Sequence, residues 1–499
     1  MSHRDNKSAG MSVADKKGVG LLGLIAIVFG SMVGGGIFNI AQNMASTAGL
    51  GAVVIAWLIT GIGMVFLVLT FKILSDTHSS LNQGIYQYAQ EGFGNYVGFN
   101  IAWGYWLCVT LGNVAFAVML NDSFGAFFPV LLTHSWPTLI FCIALVWVMF
   151  AIVIRGITTA SFINTVMTIL KFGAIIIIIA LLVVYVRTDM LLMDFWGENY
   201  SMNIKPLGGL SNQIMGTMLV TMFCFVGVEG AVMLSSYSRN SKDVGRASVI
   251  GFYLALIIYA LISILCFGVR SQEDLAGMHD PSVAYVLKAI CGEWAYYFVI
   301  CTVIVSLLSG FIAWTLLCAQ TPYGAACVHM LPSLFLKKNR HDVPVQGLAL
   351  STVFMSIFIL LVCTAPDVYM AALNLTTIMA LPAYLFCGAF LWKISGRKGG
   401  GLTHPSEKMN MRHRIIGIIC TLYCLWCIFA GGPLIFMASS ILYSVGFYFF
   451  YVTNRENYKR TGIKQPLLTS WEKVIFIALI CVAILSIVLI ALGKIHLSA

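Results

Sequence analysis

Hydrophobic residues occur in long runs from near residue 19 to near residue 493, and short polar stretches separate the runs. A nearly uncharged run of about 18 residues or more is long enough to cross a bilayer as a helix. The pattern therefore predicts an all-α polytopic membrane protein with little chain left for a soluble domain. We predict thirteen spans, at 19–41, 48–73, 94–128, 136–155, 159–186, 211–236, 245–269, 282–322, 347–364, 367–393, 412–431, 434–452 and 471–493.

Two of these spans are interrupted by glycine-rich breaks. Residues 30–38 of the first span have the sequence GSMVGGGIF, and residues 223–230 of the sixth have the sequence FCFVGVEG. A helix in lipid must satisfy its own backbone hydrogen bonds, so glycine clusters at mid-membrane depth predict unwound backbone that faces a cavity. Interrupted helices at matching positions of two halves indicate the substrate site of a transporter. Tight helix packing is the alternative reason for such glycines.

The positions of the breaks predict two structural repeats. Gly34 and Gly227 each lie about sixteen residues into the first span of a group of five. Because five is odd, two tandem five-helix units have opposite orientations in the membrane, which is the inverted-repeat arrangement. The sequence shows no residue-level repeat. We predict a polar tail at 1–18, a first repeat at 19–186, a second repeat at 211–393 and peripheral helices at 412–493.

Composition and charge exclude a soluble protein and fix the orientation. The chain is 60% hydrophobic and only 10% charged, unlike a soluble globular domain. A net charge of +10 would suit a polyanionic partner, but 23 of the 29 Lys and Arg residues fall on one side of the threaded spans. This asymmetry is the positive-inside pattern. It predicts a multi-pass protein of the cell (inner) membrane with a cytoplasmic N terminus, an external C terminus and no nucleic-acid partner.

The sequence contains no sign of catalysis or of a signal peptide. The first 18 residues are polar and no cleavage site follows a short apolar core, so we predict that the first span is retained. Cys420, Cys424 and Cys427 share one helix face without a histidine or carboxylate beside them, which favours packing over metal or redox chemistry. The spans contain no HExxH, paired-carboxylate or His-rich motif. We predict no enzyme activity, cofactor or metal. A receptor or scaffold is also disfavoured, because it would need a soluble module and the spans leave little chain for one.

Five ordered motifs extend over nearly the whole chain. They are GSMVGGGIF with Gln42-Asn43-Met44, Asn82-Gln83-Gly84-Ile85-Tyr86 with Tyr88, Ala102-Trp103-Gly104-Tyr105-Trp106 with Asn113, Phe225-Val226-Gly227-Val228-Glu229-Gly230 with Asp243-Val244-Gly245, and Trp314-Thr315-Leu316-Leu317-Cys318-Ala319. In these motifs the chain resembles the amino acid–polyamine–organocation superfamily. Within it, the likeness is to the basic amino acid/polyamine antiporters, especially bacterial arginine/ornithine antiporters. The resemblance covers about residues 18 to 490.

The resemblance implies a substrate site between the two breaks. An amino acid brings a carboxylate and an ammonium into a region of low dielectric, and both need partners. Free backbone N–H groups at the start of a half-helix suit the carboxylate, and free carbonyls at the end of a half-helix suit the ammonium. We predict substrate contacts from both breaks and from polar and aromatic side chains, namely Ser31, Gly34, Gly35, Gly36, Asn113, Phe223, Cys224, Val226 and Trp314.

Three further residues are candidates for gating and coupling. Glu229 is an acidic residue deep in an apolar span, which is by default a functional hypothesis; the alternative is a structural hydrogen bond. The resemblance makes Tyr105 a gate. It also places Lys171 near the position where sodium-coupled relatives bind Na⁺, and the alternative is that Lys171 snorkels to an interface. For Trp314 and Phe223, a cation–π contact with the substrate competes with ordinary packing.

Two more positions remain open at this stage. Asp122 departs from the likeness, and either attracts a second amine at the external mouth or is simply solvated or capping there. Residues 75–94 predict a short cytoplasmic helix, which is either part of an inner gate or an interfacial anchor. In span 10, Asn374, Thr376 and Thr377 are weaker candidates for the pocket wall.

We interpret the chain as a secondary transporter that exchanges a cationic amino acid for a related amine, with arginine for ornithine as the leading pair. The alternatives are a uniporter or proton-coupled symporter of a basic or aromatic amino acid, and an exchanger of an amino acid for its decarboxylated amine. Such pairs include arginine/agmatine, lysine/cadaverine and histidine/histamine. The small-molecule substrate and membrane lipid are the expected partners, and assembly as a homodimer is left open.

Overall fold

The computed structural model describes residues 18–133, 135–197, 207–364, 367–396, 407–462, 467–492 and 494. Helices dominate these ranges, which confirms the predicted all-α class. The helices are α1 (Leu21–Met32), α2 (Gly36–Ala45), α3 (Leu50–Thr77), α4 (Ile85–Phe93), α5 (Asn95–Gly125), α6 (Trp136–Val153), α7 (Ile157–Tyr185), α8 (Thr188–Met193), α9 (Leu210–Phe223), α10 (Gly230–Met233), α11 (Ser241–Phe267), α12 (Gln272–Ala276), α13 (Ser282–Cys291), α14 (Glu293–Cys327), α15 (Val345–Thr364), α16 (Asp367–Ser395), α17 (Glu407–Ala430), α18 (Pro433–Thr461) and α19 (Ser470–Ala491).

The helices account for the predicted membrane spans. Eleven segments of the described chain are long and apolar enough to cross a membrane. The two remaining predicted spans coincide with α15 and with the broken pair α9–α10. A polytopic membrane protein is therefore confirmed.

Both glycine-rich segments interrupt their helices. The first span ends as α1 at Met32 and resumes as α2 at Gly36. The sixth ends as α9 at Phe223 and resumes as α10 at Gly230. In the second break, Gly227 has a φ of 108°, a conformation that favours glycine because it has no Cβ. The prediction that spans 1 and 6 are broken is confirmed.

The broken helices lie at the centre of the bundle. Helix α1 packs against α7, α11 and α14, while α5 packs against α14 and α16. The apolar window of α5 is completely buried, whereas only 11% of the window of α19 is buried. Helices α18 and α19 pack mainly on each other, and α17 packs against α16 and α3. The centre of the fold is thus enclosed by helices, and α19 is at its edge.

A short helix precedes the third helix of each half. Helices α4 and α13 end immediately before Gly94 and Gly292, whose φ angles of 100° and 88° redirect the chain into α5 and α14. The sequence predicts α4, but it presents 282–322 as one continuous apolar run. The structure divides that run at Gly292. Five residues of α4, beginning with Ile85 and Tyr86, are buried, so this helix is packed into the bundle rather than resting on its surface.

One carboxylate links the appended helices to the bundle. Glu472 of α19 accepts hydrogen bonds from the Tyr96 N–H of α5 at 3.0 Å and from the Thr469 N–H at 2.9 Å. Glu472 is 5% exposed. It therefore satisfies free amides at the N-termini of two helices.

Candidate functional site

The first break exposes the ends of two half-helices. The N-terminus of α2 has no capping side chain, and the first N–H groups of a helix lack acceptors within that helix. Gly34, Gly35 and Gly36 lie at this point, where bulky neighbours leave no room for side chains. A Cβ on Gly35 would lie 2.4 Å from the Met119 side chain and 2.7 Å from Leu307. The glycines therefore let other helices, and a ligand, approach the backbone.

The second break lies directly against the first. The Ser31 hydroxyl donates to the Gly227 carbonyl at 2.8 Å and to the Val28 carbonyl at 2.9 Å. A Cβ on Gly227 would lie 2.8 Å from the Ser31 Cβ, so only glycine fits there. Short turns hold the break itself, because the N–H groups of Val226 and Val228 donate to carbonyls three residues earlier.

A narrow cavity lies between the two breaks. Its volume is about 20 Å³, on the order of one water molecule. Seven of the nine predicted substrate-contact residues line it, and the other two, Asn113 and Cys224, do not. The lining residues are Ser31, Met32, Gly34, Gly35, Gly36, Gly112, Ala115, Phe116, Met119, Phe223, Val226, Tyr259 and Trp314. A ligand of amino-acid size needs some of these side chains to move.

Trp314 closes one wall of the cavity. Its indole N–H donates to the Ser31 carbonyl at 3.0 Å, and its ring makes an edge-to-face contact with Phe116 at 5.5 Å between centroids. The ring also rests on Gly112, where a Cβ would lie 2.0 Å from it. This aromatic face is next to both breaks, where a ligand cation can contact it.

Glu229 is held by two tyrosines. Its carboxylate accepts from the Tyr105 hydroxyl, from the Tyr384 hydroxyl and from the Gly227 N–H, the last at 3.2 Å. All three side chains are fully buried. The structure therefore brings the predicted gate Tyr105 and the predicted acid Glu229 together. The network joins α5 and α16 to the second break. A change at Glu229 therefore alters hydrogen bonds to α5, to α16 and at the start of α10.

A second polar layer lies beyond this network, toward the predicted cytoplasmic side. The Ser235 hydroxyl donates to the Asn82 carbonyl at 2.8 Å, and the Gln320 amide donates to Ser236 at 3.3 Å. Val19 and Tyr237 also bond through their backbones at 2.8 Å. These contacts connect the chain that follows α10 with the segment before α4, with α14 and with the residues before α1. The cavity is thus separated from the predicted cytoplasmic side by two layers of hydrogen bonds.

Lys171 lies beside the first break. Its ammonium donates to the carbonyl of Val33 at 2.6 Å and to that of Gly30 at 3.2 Å. Ser306 donates to the carbonyls of Val33 and Gly34 at 3.1 and 2.9 Å. Lys171 is fully buried, and within the described ranges no carboxylate lies within 4.0 Å of it. The ammonium therefore occupies the carbonyl end of a half-helix, which favours a cation.

The other candidates lie away from the cavity. Asn113 is buried and donates to the Cys318 sulfur at 3.3 Å, while its carbonyl oxygen has no partner among the described residues. The Thr376 carbonyl accepts from Cys108 at 3.2 Å, against α5. Asp122 is exposed and accepts from the neighbouring Asn121 amide at 3.1 Å.

Asp122 has a second carboxylate near it. The pKa of Asp280, in the loop before α13, is raised to about 6 by burial of the carboxyl and by the negative charge of Asp122. Of the two, only Asp122 is a candidate from the sequence. The pair forms an acidic patch at the predicted external mouth.

Several residues of the site are not evident from the sequence. Tyr384, Phe116, Met119 and Tyr259 are apolar or aromatic residues in apolar spans, so their pattern is the same as that of ordinary packing residues. Tyr259 donates to the Met32 carbonyl at 2.9 Å, at the end of α1. Spacing within one helix cannot reveal them, because each contributes to the site only through contacts with other helices.

Comparison with known families identifies the protein family. Residues 19–453 match the amino acid permease family, which covers both broken helices and most of the described bundle. The chain belongs to this family. The match includes each of the two half-helix ends that line the cavity.

Individual relatives are similar over nearly their full length. An arginine/agmatine antiporter of Chlamydia felis is 37% identical over 474 residues, which cover 94% of this chain and 97% of the relative. An arginine/agmatine antiporter of Chlamydia caviae is 38% identical and covers 97% and 98%. An arginine/ornithine antiporter of Pseudomonas aeruginosa is 35% identical and covers 95% and 98%. These relatives bear out the resemblance to basic amino acid antiporters.

Proposed function

We propose that this permease exchanges arginine, or a closely related cationic amino acid, for a related amine across the cell membrane. The observation that carries the proposal is the meeting of two opposed half-helix ends at one cavity. The N-terminus of α2 offers N–H groups to a carboxylate, and the end of α9 offers carbonyls to an ammonium. The aromatic wall at Trp314 offers a surface for the side-chain cation.

Glu229 and Lys171 supply the charges that respond to the substrate. The Glu229 carboxylate is bonded to Tyr105 and Tyr384, so the arrival of a cation near Glu229 changes the energy of a network that spans three helices. Lys171 fills the carbonyl end of α1, which removes the need for a bound Na⁺ there. In this proposal transport is independent of sodium, and Glu229 couples substrate charge to opening.

Agmatine and ornithine are the two leading counter-amines, and the relatives carry both names. The two exchanges with arginine differ in the net charge that crosses the membrane. Arginine for ornithine moves no net charge. Arginine for a divalent decarboxylated amine moves one charge, worth about 2.3 kcal/mol per 100 mV of membrane potential.

Proteoliposome exchange tests the proposal. Vesicles loaded with unlabelled arginine, ornithine or agmatine, and empty vesicles, are each supplied with labelled arginine. We expect uptake only into loaded vesicles. A potassium diffusion potential then separates the pairs, because the potential changes the rate only of the charge-moving exchange. Equal uptake into empty vesicles favours the uniporter or proton symporter of a basic or aromatic amino acid, and overturns obligatory exchange.

The proposal includes an orientation. We place α10, α4 and the end of α14 on the cytoplasmic side, the C terminus outside, and the protein in the inner membrane of a bacterial cell. Labelling of single cysteines introduced at Lys242 and Lys288, which lie on opposite predicted sides, tests this topology in intact cells. Cross-linking in native membranes tests whether the chain forms a homodimer.

A further inference from the structure

A large basic cavity lies away from the candidate site, at the predicted cytoplasmic surface. It has a volume of about 550 Å³, within the range of about 300–1,000 Å³ that is typical of small-molecule sites. It lies between the end of α14, the start of α5 and the C-terminal part of α18. Arg455, Arg460 and His329 line it, and no carboxylate does.

No described carboxylate forms an ion pair with the arginines of this cavity. Within the described chain, neither Arg455 nor Arg460 has a carboxylate oxygen within 4.0 Å. Glu456, which lies between these arginines in the sequence, lines a smaller adjoining cavity and accepts from the Ser333 N–H at 2.8 Å. Two unpaired guanidinium groups with a planar array of donors favour phosphate or carboxylate ligands.

Hydrogen bonds fix the walls of the cavity. The Asn457 amide donates to the His329 carbonyl at 3.1 Å, and the Gln90 amide donates to the Val328 carbonyl at 3.2 Å. His329 itself has a φ of 62°, a conformation that few non-glycine residues adopt. The turn after α14 is therefore held against α18 and α4.

The depth of the cavity matches the headgroup region of the membrane. The apolar part of α18 gives way to polar residues from Asn454 onward, and Tyr451 below it is 49% exposed. Trp471 at the start of α19 is 45% exposed. Exposed Tyr and Trp at span ends mark the level of lipid headgroups. Phe450, Met330 and Leu467 add an apolar side to the cavity.

We propose that this cavity binds the phosphate headgroup of an anionic glycerophospholipid from the cytoplasmic leaflet. Basic pockets between transmembrane helices on the cytoplasmic side suit such headgroups. The two arginines bind the phosphate, and the acyl chains run past the exposed Tyr451 toward the bilayer. The lipid then joins α18 to the turn after α14.

Lipid binding to the purified full-length protein tests this proposal. Native mass spectrometry measures retention of phosphatidylglycerol and of phosphatidylcholine by wild type, by R455Q/R460Q and by the control R412Q/R414Q. The control removes the same charge from exposed arginines at the predicted cytoplasmic end of α17. We expect wild type and control to retain phosphatidylglycerol preferentially, and R455Q/R460Q to bind it about 30-fold more weakly.

Two results overturn the proposal. One is undiminished phosphatidylglycerol binding by R455Q/R460Q, or by R460Q alone if the double variant does not fold. The other is that glycerol 3-phosphate, which shares the phosphate but has no acyl chains, binds as tightly as the lipid, which makes the occupant a soluble anion. Because the readout is binding and not exchange, the result does not depend on the proposed transport activity.

Discussion

The indole N–H of Trp314 donates to the backbone carbonyl of Ser31 at 3.0 Å, and the hydroxyl of the same serine donates to Gly227 at 2.8 Å. Ser31 thus connects α14 to both breaks. Hydrogen bonds through one residue therefore link the aromatic wall to the two half-helix ends. Movement of Trp314 is the direct way to enlarge the cavity, and it loosens the contact between the breaks at the same time.

Replacing Gly112 with alanine should displace Trp314, because the new methyl group would lie about 2.0 Å from the ring. We expect at least a tenfold loss of arginine exchange, with the protein still folded. Tryptophan fluorescence and proteoliposome exchange measure the two effects. Gly173→Ala is the matched control, since a Cβ there meets nothing within 4 Å. Normal exchange by Gly112→Ala would show that the packing of Trp314 against α5 is irrelevant.

Trp314→Phe should keep an aromatic wall but lose the hydrogen bond to Ser31. We expect a higher KM for arginine, by about three- to tenfold, because phenylalanine is the weaker cation–π partner. Trp314→Leu removes the aromatic face and should cost more. Comparing the KM of arginine with the KM of a neutral analogue of similar shape isolates the contribution of the cation–π contact. An equal loss for both substrates would mean that Trp314 acts only through packing.

Lys171→Met should remove the cation from the carbonyl end of α1 while keeping most of the side-chain volume. The Gly30 carbonyl then loses its Lys171 donor, at a cost of about 1–3 kcal/mol. We expect a lower thermal midpoint and little exchange in any buffer. Lys288→Met, at an exposed residue paired with Glu293 at 2.8 Å, is the control. Exchange by wild type should be equal in sodium and choline buffers, and a sodium requirement would contradict this role for Lys171.

Glu229→Gln keeps the shape of the side chain but removes its charge, so Tyr105 and Tyr384 lose a carboxylate acceptor. Hydrogen bonds to charged groups contribute about 1.5–3 kcal/mol, and we expect at least a tenfold fall in the exchange rate. Tyr384→Phe should give a smaller loss, since Tyr105 and the Gly227 N–H remain. If Glu229→Gln binds arginine normally and exchanges at the wild-type rate, Glu229 is structural.

Asp280→Asn should remove a pH dependence of stability. A raised carboxyl pKa means that the folded protein disfavours the charged form, so the penalty is fully present above about pH 6 and is lost progressively as the pH falls from about 6 to the ordinary pKa of 3.8. We expect the thermal midpoint of Asp280→Asn to exceed that of wild type at pH 7.5 and to match it at pH 4. The matched control is Asp274→Asn, at an exposed position of α12. An equal difference in thermal midpoint between variant and wild type at both pH values would contradict a raised pKa of Asp280 as its cause.

The sequence predicts the parts of the site that backbone chemistry dictates. Glycine clusters such as Gly34–Gly36 favour either unwound backbone or close helix packing, and their matching positions in two spans favour the breaks. A buried charge such as Glu229 is equally visible, because few reasons exist to place a carboxylate in an apolar span. These features depend on one segment and its solvent, and one sequence is enough to reveal them.

The partners of these residues are not predictable in the same way. Tyr384 reaches Glu229 across 155 positions of the chain, and nothing in its own span distinguishes it from a packing tyrosine. Gly292 divides an apolar run only through its φ angle, which hydropathy does not report. Such features depend on how the helices meet, and the pattern of one span does not contain that information.

The carboxylate of Glu472 holds the start of α5 and the start of α19 to the same point. Tyr105, on α5, belongs to the helix that is anchored there, whereas Ser31 and Gly227 belong to the broken helices. Because Glu472 ties α5 to α19 and not to the broken helices, we expect α5 to keep its position when the cavity opens while the broken pair shifts against it. A carboxylate on a helix at the edge of the fold thus restrains the start of the helix that carries Tyr105.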